Sequence, residues 1–222
     1  MSLKNELDAV KAQAASIIPE EAQKVMANAT HELEASGIVD RAPQKGDKLR
    51  DFELANQTGE NRSLAELRQS GPVVVTFYRG GWCPYCNLQL KSYQQMLSDV
   101  RAAGGTLVAI TPELPDESLT TSEKNALDFE VLTDGNSDYA RELGLVFTLP
   151  NELRPIYKKF GIDVEEHNGK NQFDLPLAAT FVVDSDGTIA FAMVDADYTR
   201  RAEPADIISA LQALSGQPAS QL

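Results

Sequence analysis

The cysteines Cys83 and Cys86 are separated by two residues in the segment Trp82-Cys83-Pro84-Tyr85-Cys86. This spacing is typical of redox pairs, in which one thiolate attacks and the other thiol closes a disulfide. A zinc site needs four ligands, and His31 and His167, both expected at the surface, lack the spacing of zinc ligands. A structural disulfide across so short a loop would add little stability. The pattern therefore favours a redox-active pair, with no metal and no cofactor.

The residues around the pair predict a strand, a turn and a helix. The run from Val73 to Tyr78 is β-branched and aromatic, which indicates a buried strand. A glycine pair then makes a turn, and Pro84 suits the first position of a helix predicted to reach Ala103. Cys83 would lie at the helix N-terminus, where free N–H groups and the helix dipole lower the pKa of a thiol. Cys83 is thus the predicted nucleophile and Cys86 the resolving cysteine.

Three arginines could add positive charge to this site. Arg79 lies four residues before Cys83 and is the first choice, with an ordinary surface arginine as the alternative. Arg200 and Arg201 are far away in sequence, and a solvated loop is the simpler interpretation of that pair. Trp82, which directly precedes Cys83, gives a built-in fluorescence reporter.

The first forty residues predict two helices. Apolar residues recur from Leu3 to Ile17 at alternating spacings of four and three, which places one stripe on a helix. A second stripe follows Pro19 and ends before Gly37. These helices could pack on their own domain or form a homodimer contact, and the stripes alone do not decide between the two.

The rest of the chain alternates strands and helices. Strands are predicted near 53–63, 106–113 and 130–133, a hairpin at 178–194 and a closing helix after Pro204, whereas 148–174 resists assignment. Early strand–helix–strand units imply a parallel centre, and the hairpin adds antiparallel strands. The predicted fold class is α/β, with a mixed sheet covered by helices on both faces.

Charge and composition exclude several functions. The chain has 222 residues and a formal net charge of -13, so phosphate backbones and anionic lipids are poor partners. No apolar run approaches membrane-spanning length. Charges interrupt the N-terminal segment, so we expect no secretory signal and a cytoplasmic location, where thiols stay reduced.

The segment FYRGGWCPYC resembles the thioredoxin superfamily, and its Cys-Pro-Tyr-Cys form is found in glutaredoxins. From Ala42 to about Leu214 the chain resembles peroxiredoxin-like proteins of the alkyl hydroperoxide reductase/thiol-specific antioxidant family. The supporting pieces are GDKLRDFEL, VVVTFYRGGWCPYC and ATFVVDSDGTIAF. This resemblance implies a thioredoxin-like α/β/α sandwich and thiol-based chemistry. The predicted organisation is a helical extension at 1–40, a thioredoxin-like domain at 42–214 and a tail at 215–222.

The sequence departs from the family pattern at three positions. Typical members carry Pro-x-x-x-Thr/Ser-x-x-Cys before the reacting cysteine, but here Thr76 holds the proline position and Gly80 the threonine position. Ala178 occupies the position where the family has an arginine and where thioredoxins have a cis-proline. The strand before Cys83 also lacks the buried acid of thioredoxins. Other donors must therefore assist any peroxide reduction, and the candidates are, in order, Arg79, the backbone N–H groups near Cys83 and the pair Arg200–Arg201. Thr76, Arg79, Trp82 and Pro84 are the predicted supporting residues of the site.

Three functions remain open from the sequence. The first is a peroxiredoxin-like peroxidase, in which a Cys83 sulfenic acid is resolved by Cys86 and recycled by thioredoxin or glutathione. The second is an oxidoreductase acting on protein or small-molecule disulfides. The third is a redox sensor, in which the Cys83–Cys86 disulfide alters the packing of the N-terminal helices.

Overall fold

A computed structural model describes residues 2–216 of the chain. All but the first two residues of the predicted tail at 215–222 lie outside the described residues. Within residues 2–216, no helix is both long enough and apolar enough to cross a membrane.

The strands form one large mixed sheet and one small one. The large sheet of the described chain has the order β2-β1-β5-β4-β3-β8-β9, and β6 pairs with β7 in the second sheet. Their bounds are β1 Glu53–Asn56, β2 Asn61–Ser63, β3 Val73–Phe77, β4 Thr106–Thr111, β5 Glu130–Thr133, β6 Val146–Thr148, β7 Asp174–Pro176, β8 Ala178–Val183 and β9 Ile189–Asp195.

Helices cover both faces of the large sheet. Their bounds are α1 Leu3–Ile17, α2 Glu20–Ala35, α3 Leu64–Leu67, α4 Pro84–Gln95, α5 Leu97–Ala102, α6 Pro115–Lys124, α7 Asp138–Glu142, α8 Arg154–Lys159, α9 Val164–Asn168 and α10 Pro204–Ser215. Strands β3, β4 and β5 are parallel, while β8 pairs antiparallel with both β3 and β9. The predicted mixed sheet with helices on both faces is confirmed.

Strand β3 divides the core into two halves. Its residues are all fully buried, and successive side chains point to opposite faces because the side-chain period of a strand is two. Val74 packs with Cys83 and Cys86 on one face, whereas Phe77 packs on the other. The cysteines are therefore part of the apolar core rather than of a surface loop.

The N-terminal helices pack on the protein's own domain. Leu3 and Leu7 of α1 are buried in the same core cluster as the two cysteines. Burying a leucine side chain contributes about 1.5–3 kcal/mol, which holds α1 against the domain. Helix α2 rests more lightly, with Met26 and Ala29 only partly buried. The packing favours the first interpretation of the stripes, and the homodimer contact stays a prediction.

Two expectations about elements need correction. The helix predicted to run from Pro84 to Ala103 is two helices, because Met96 ends α4 as its C-cap residue and its carbonyl accepts the N–H groups of Asp99 and Val100 as α5 begins. The unassigned stretch at 148–174 contains two short helices, α8 and α9, together with the last residue of β6 and the first residue of β7. Short elements of this kind bury too few residues to show a clear hydrophobic period.

Candidate active site

Cys83 is the N-cap residue of α4, directly after the turn that leaves β3. Pro84 is the first residue of the helix, as predicted, and Cys86 lies within the first turn. Glycine is required at position 80 because its φ is +156° and a Cβ there would lie 2.2 Å from the Trp82 indole nitrogen. The tight packing of Trp82 thus explains why no threonine can occupy this position.

Arg79 is the main electrostatic partner of Cys83. Its Nη2 donates to the Cys83 sulfur at 3.4 Å, and Arg79 and Cys83 are only 5% and 1% exposed. Arg79 therefore lies buried beside the Cys83 sulfur, and the alternative of a surface arginine is wrong. A buried guanidinium always carries its charge, so it favours the thiolate form of the neighbouring sulfur.

Aromatic residues hold the Arg79 guanidinium in place. Arg79 Nη1 donates to the Tyr157 hydroxyl at 3.2 Å, and the guanidinium carbon lies 4.3 Å from the Tyr198 ring centroid and 5.2 Å from that of Trp82. Cation–π contacts of this kind are stronger away from water. Trp82 thus contacts the Arg79 guanidinium. Tyr157 and Tyr198 come from the unassigned stretch and the loop after β9, so the sequence did not reveal them.

Arg201 is a second buried cation, and it lies beside the Cys86 sulfur. Its Nη2 donates to the Cys86 sulfur at 3.3 Å, and the residue is 8% exposed. The solvated-loop interpretation is therefore wrong for Arg201. It is correct for Arg200, which is exposed and pairs with Asp195 and Asp197.

A buried polar chain fixes the position of Arg201. Arg201 Nε donates to Gln89 Oε1 at 2.6 Å, and Gln89 Nε2 donates to Thr76 Oγ1 at 2.8 Å. Thr76 in turn is hydrogen bonded to Thr180 and to the Ala179 carbonyl. Thr76 is thus connected to Cys86 through Gln89 and Arg201, and these hydrogen bonds do not join it to either sulfur.

The two thiols have opposite pKa shifts. Burial alone would raise the pKa of Cys83, but the hydrogen bond from Cys86 and the charges of Arg79 and Arg201 outweigh it, so this pKa lies well below its ordinary value. Burial raises the pKa of Cys86, and the hydrogen bond to Cys83 and the Cys83 charge raise it further. Of the two thiols, Cys83 therefore ionises first, which is the direction that the sequence predicted.

Glu113 supplies a buried acid that the strand before Cys83 lacks. It follows β4, and its carboxylate accepts the Gly81 N–H at 2.8 Å and the Tyr78 hydroxyl at 3.3 Å. Burial raises the pKa of Glu113, while the Gly81 hydrogen bond and His167 oppose the rise. Because β3 and β4 are parallel, an acid just after β4 lies at the same edge of the sheet as the end of β3. The position of Glu113 in the sequence could therefore have predicted that it lies near the turn before Cys83.

One group of metal-ligating side chains stands out among residues 2–216. Ligand atoms of Glu113, Glu117 and His167 lie within 4.8 Å of one another. His167 Nδ1 is 2.7 Å from Glu117 Oε2, so hydrogen bonding accounts for this group. His31 is exposed as predicted, whereas His167 is half-buried because it packs against this acid pair.

The thiol pair at a helix N-terminus, on a sheet with a parallel centre, defines a thioredoxin-like, thiol-dependent oxidoreductase. The structure of Peroxidoxin BcpB from Mycobacterium tuberculosis superposes with a TM-score of 0.61 and 22% identity, covering 77% of this chain and 97% of that one. This likeness shows the fold.

Sequence comparison gives the family. The model of the AhpC/TSA family matches residues 45–192, and the chain belongs to that family. A putative peroxiredoxin of Mycobacterium tuberculosis is 29% identical over 154 residues, which cover 69% of this chain and 87% of the relative. Peroxiredoxin Bcp of Escherichia coli is 25% identical over 150 residues, which cover 68% of this chain and 85% of that protein.

Proposed function

We propose that the protein reduces hydroperoxides through Cys83 and Cys86. The observation that carries this proposal is the buried Arg79 guanidinium at 3.4 Å from the Cys83 sulfur. It stabilises a thiolate, and it lies where negative charge develops when an O–O bond breaks. Membership of the AhpC/TSA family supports the same chemistry.

The first step is attack of the Cys83 thiolate on the terminal oxygen of the peroxide. A sulfur–oxygen bond forms, the O–O bond breaks, and the departing alkoxide takes a proton from water to become an alcohol. Arg79 replaces the family's missing threonine and arginine as the donor to the reacting oxygens. Its aromatic neighbours preorganise it, so little reorganisation is needed during the reaction.

The second step closes the disulfide. The Cys86 sulfur attacks the sulfur of the Cys83 sulfenic acid, an S–S bond forms as the S–O bond breaks, and the hydroxyl group leaves as water with the proton that Cys86 gives up. Arg201 assists by stabilising the Cys86 thiolate, which becomes easier to form once Cys83 has lost its negative charge. A dithiol reductant such as thioredoxin, or glutathione, then reduces the Cys83–Cys86 disulfide by exchange.

Thiol–disulfide exchange remains the second candidate. Two thiols at the N-terminus of α4, one of them with a lowered pKa, are also what an attack on an external disulfide requires. The two functions differ in what the Cys83 thiolate attacks, so the oxidised products distinguish them.

Mass spectrometry of the product tests the proposal. One equivalent of hydrogen peroxide should convert the wild-type protein to the Cys83–Cys86 disulfide and leave the Cys86→Ser variant with one added oxygen, trapped by dimedone at position 83. Cys83→Ser should stay unmodified over the same time. A Cys86→Ser protein that does not react with peroxide but forms a mixed disulfide with oxidised glutathione would instead establish thiol–disulfide exchange as the function.

A further inference from the structure

A cavity of about 230 Å³ lies between helix α2 and the part of the chain that comprises β6 and the segment after it. Its walls are largely apolar, and both elements contribute to them. The apolar lining residues are Met26, Ala29 and Leu33 from α2, with Phe147, Leu149 and Leu153 opposite. The cavity therefore offers a site for an apolar group of limited size.

One wall of the same cavity is formed by residues that surround the Cys83 sulfur, although Cys83 itself does not line the cavity. Arg79, Tyr157 and Tyr198 line it, and Arg79 is the residue that donates to the Cys83 sulfur. The Nε–H of Arg79 is buried and has no hydrogen-bond partner. An unsatisfied buried donor costs free energy, and a ligand with an acceptor oxygen would satisfy it. The cavity thus combines apolar walls with an unpaired donor on Arg79, the side chain that also contacts the Cys83 sulfur.

We propose that this cavity binds the organic group of an aryl or branched-alkyl hydroperoxide, and that helix α2 sets the selectivity for it over hydrogen peroxide. This inference rests on the proposed function. An apolar cavity of about 150 Å³ can hold benzene, so the larger volume here accommodates an aryl group. The peroxide oxygens then accept from Arg79, next to the Cys83 sulfur.

Helix α2 is a distinctive part of this site. It spans Glu20–Ala35, whereas the family model matches residues 45–192. The side of the cavity that α2 forms, and that would set the selectivity, therefore lies outside the segment that the family model matches. A role in substrate binding also explains why α2 covers the site while burying none of its residues fully.

The Ala29→Phe variant tests the cavity by filling it. We expect the ratio of kcat/KM for cumene hydroperoxide to that for hydrogen peroxide to fall by about tenfold or more, mainly through KM, because pocket shape discriminates by such factors. Ala35→Phe is the matched control on an exposed position of the same helix and should keep the wild-type ratio. Leu33→Ala, which enlarges the cavity, should lower KM for cumene hydroperoxide relative to Ala29→Phe.

Several outcomes would overturn the inference. An unchanged ratio in Ala29→Phe, or an equal loss with both peroxides, would remove the cavity from substrate selection. A loss confined to reduction of the disulfide by thioredoxin would assign the cavity to the reductant instead. If wild-type protein reduces neither peroxide, the proposed function itself fails, which separates the two failures.

Discussion

Replacing Arg79 with methionine should lower the rate of Cys83 oxidation by peroxide about 100- to 1,000-fold, the cost typical of losing one donor to a developing oxyanion. Two effects combine in this loss. The thiolate loses its charged partner at 3.4 Å, so the pKa of Cys83 rises, and the departing oxygen loses its donor. Stopped-flow oxidation of the reduced variant measures the change.

The pH dependence identifies the cause. In the wild-type protein the pKa of Cys83 is well below its ordinary value, so the rate should reach its plateau at a lower pH than an ordinary thiol would. In Arg79→Met the rate should continue to rise with pH until the pH exceeds the raised pKa of Cys83. Arg79→Lys keeps the charge and should retain part of the rate. A flat profile in Arg79→Met would contradict the electrostatic role of Arg79.

Replacing Arg201 with methionine should slow disulfide closure more than sulfenic acid formation. Arg201 donates to Cys86 rather than to Cys83, and a change of about one pKa unit alters the thiolate fraction about tenfold. We therefore expect the sulfenic acid to persist and to proceed to sulfinic acid under excess peroxide. Dimedone trapping after a single turnover measures its lifetime.

The control for this variant addresses the polar chain around Arg201. Losing the guanidinium leaves Gln89 and the carbonyls of Tyr198 and Arg200 without their donor, which costs stability. Arg201→Lys keeps the charge and should restore a large part of the closure rate, whereas a purely structural role would give no such rescue. Closure as fast in Arg201→Met as in wild type would contradict the assigned role.

The sequence predicted the elements that carry the thiols and could not predict what surrounds them. A β-branched run, a glycine turn and Pro84 are local signals, and they placed Cys83 at the start of α4 correctly. The same local reasoning pointed to Arg79, because it lies only four residues before Cys83. Arg201 is 115 residues from Cys86, and a contact over that distance depends on how the hairpin β8–β9 returns the chain to α4.

Residues in irregular segments escaped prediction for a related reason. Tyr157 lies on a helix of six residues and Tyr198 in the loop after β9, and neither segment shows a readable period. The break between α4 and α5 at Met96 carries no glycine or proline, so the pattern continued through it. Glu113 also went unpredicted, although the parallel pairing of β3 and β4 places the residues just after β4 near the turn before Cys83.

The most direct test of the central claim is the second-order rate constant for oxidation of the reduced protein by hydrogen peroxide. Trp82 adjoins Cys83, so its fluorescence follows the reaction in a stopped-flow instrument. A peroxidase should react several orders of magnitude faster than a free thiol of matched pKa, because Arg79 acts on the transition state as well as on the thiolate. A rate equal to that of the free thiol, with fast exchange against oxidised glutathione, would show that Arg79 only lowers the pKa and that the protein acts on disulfides.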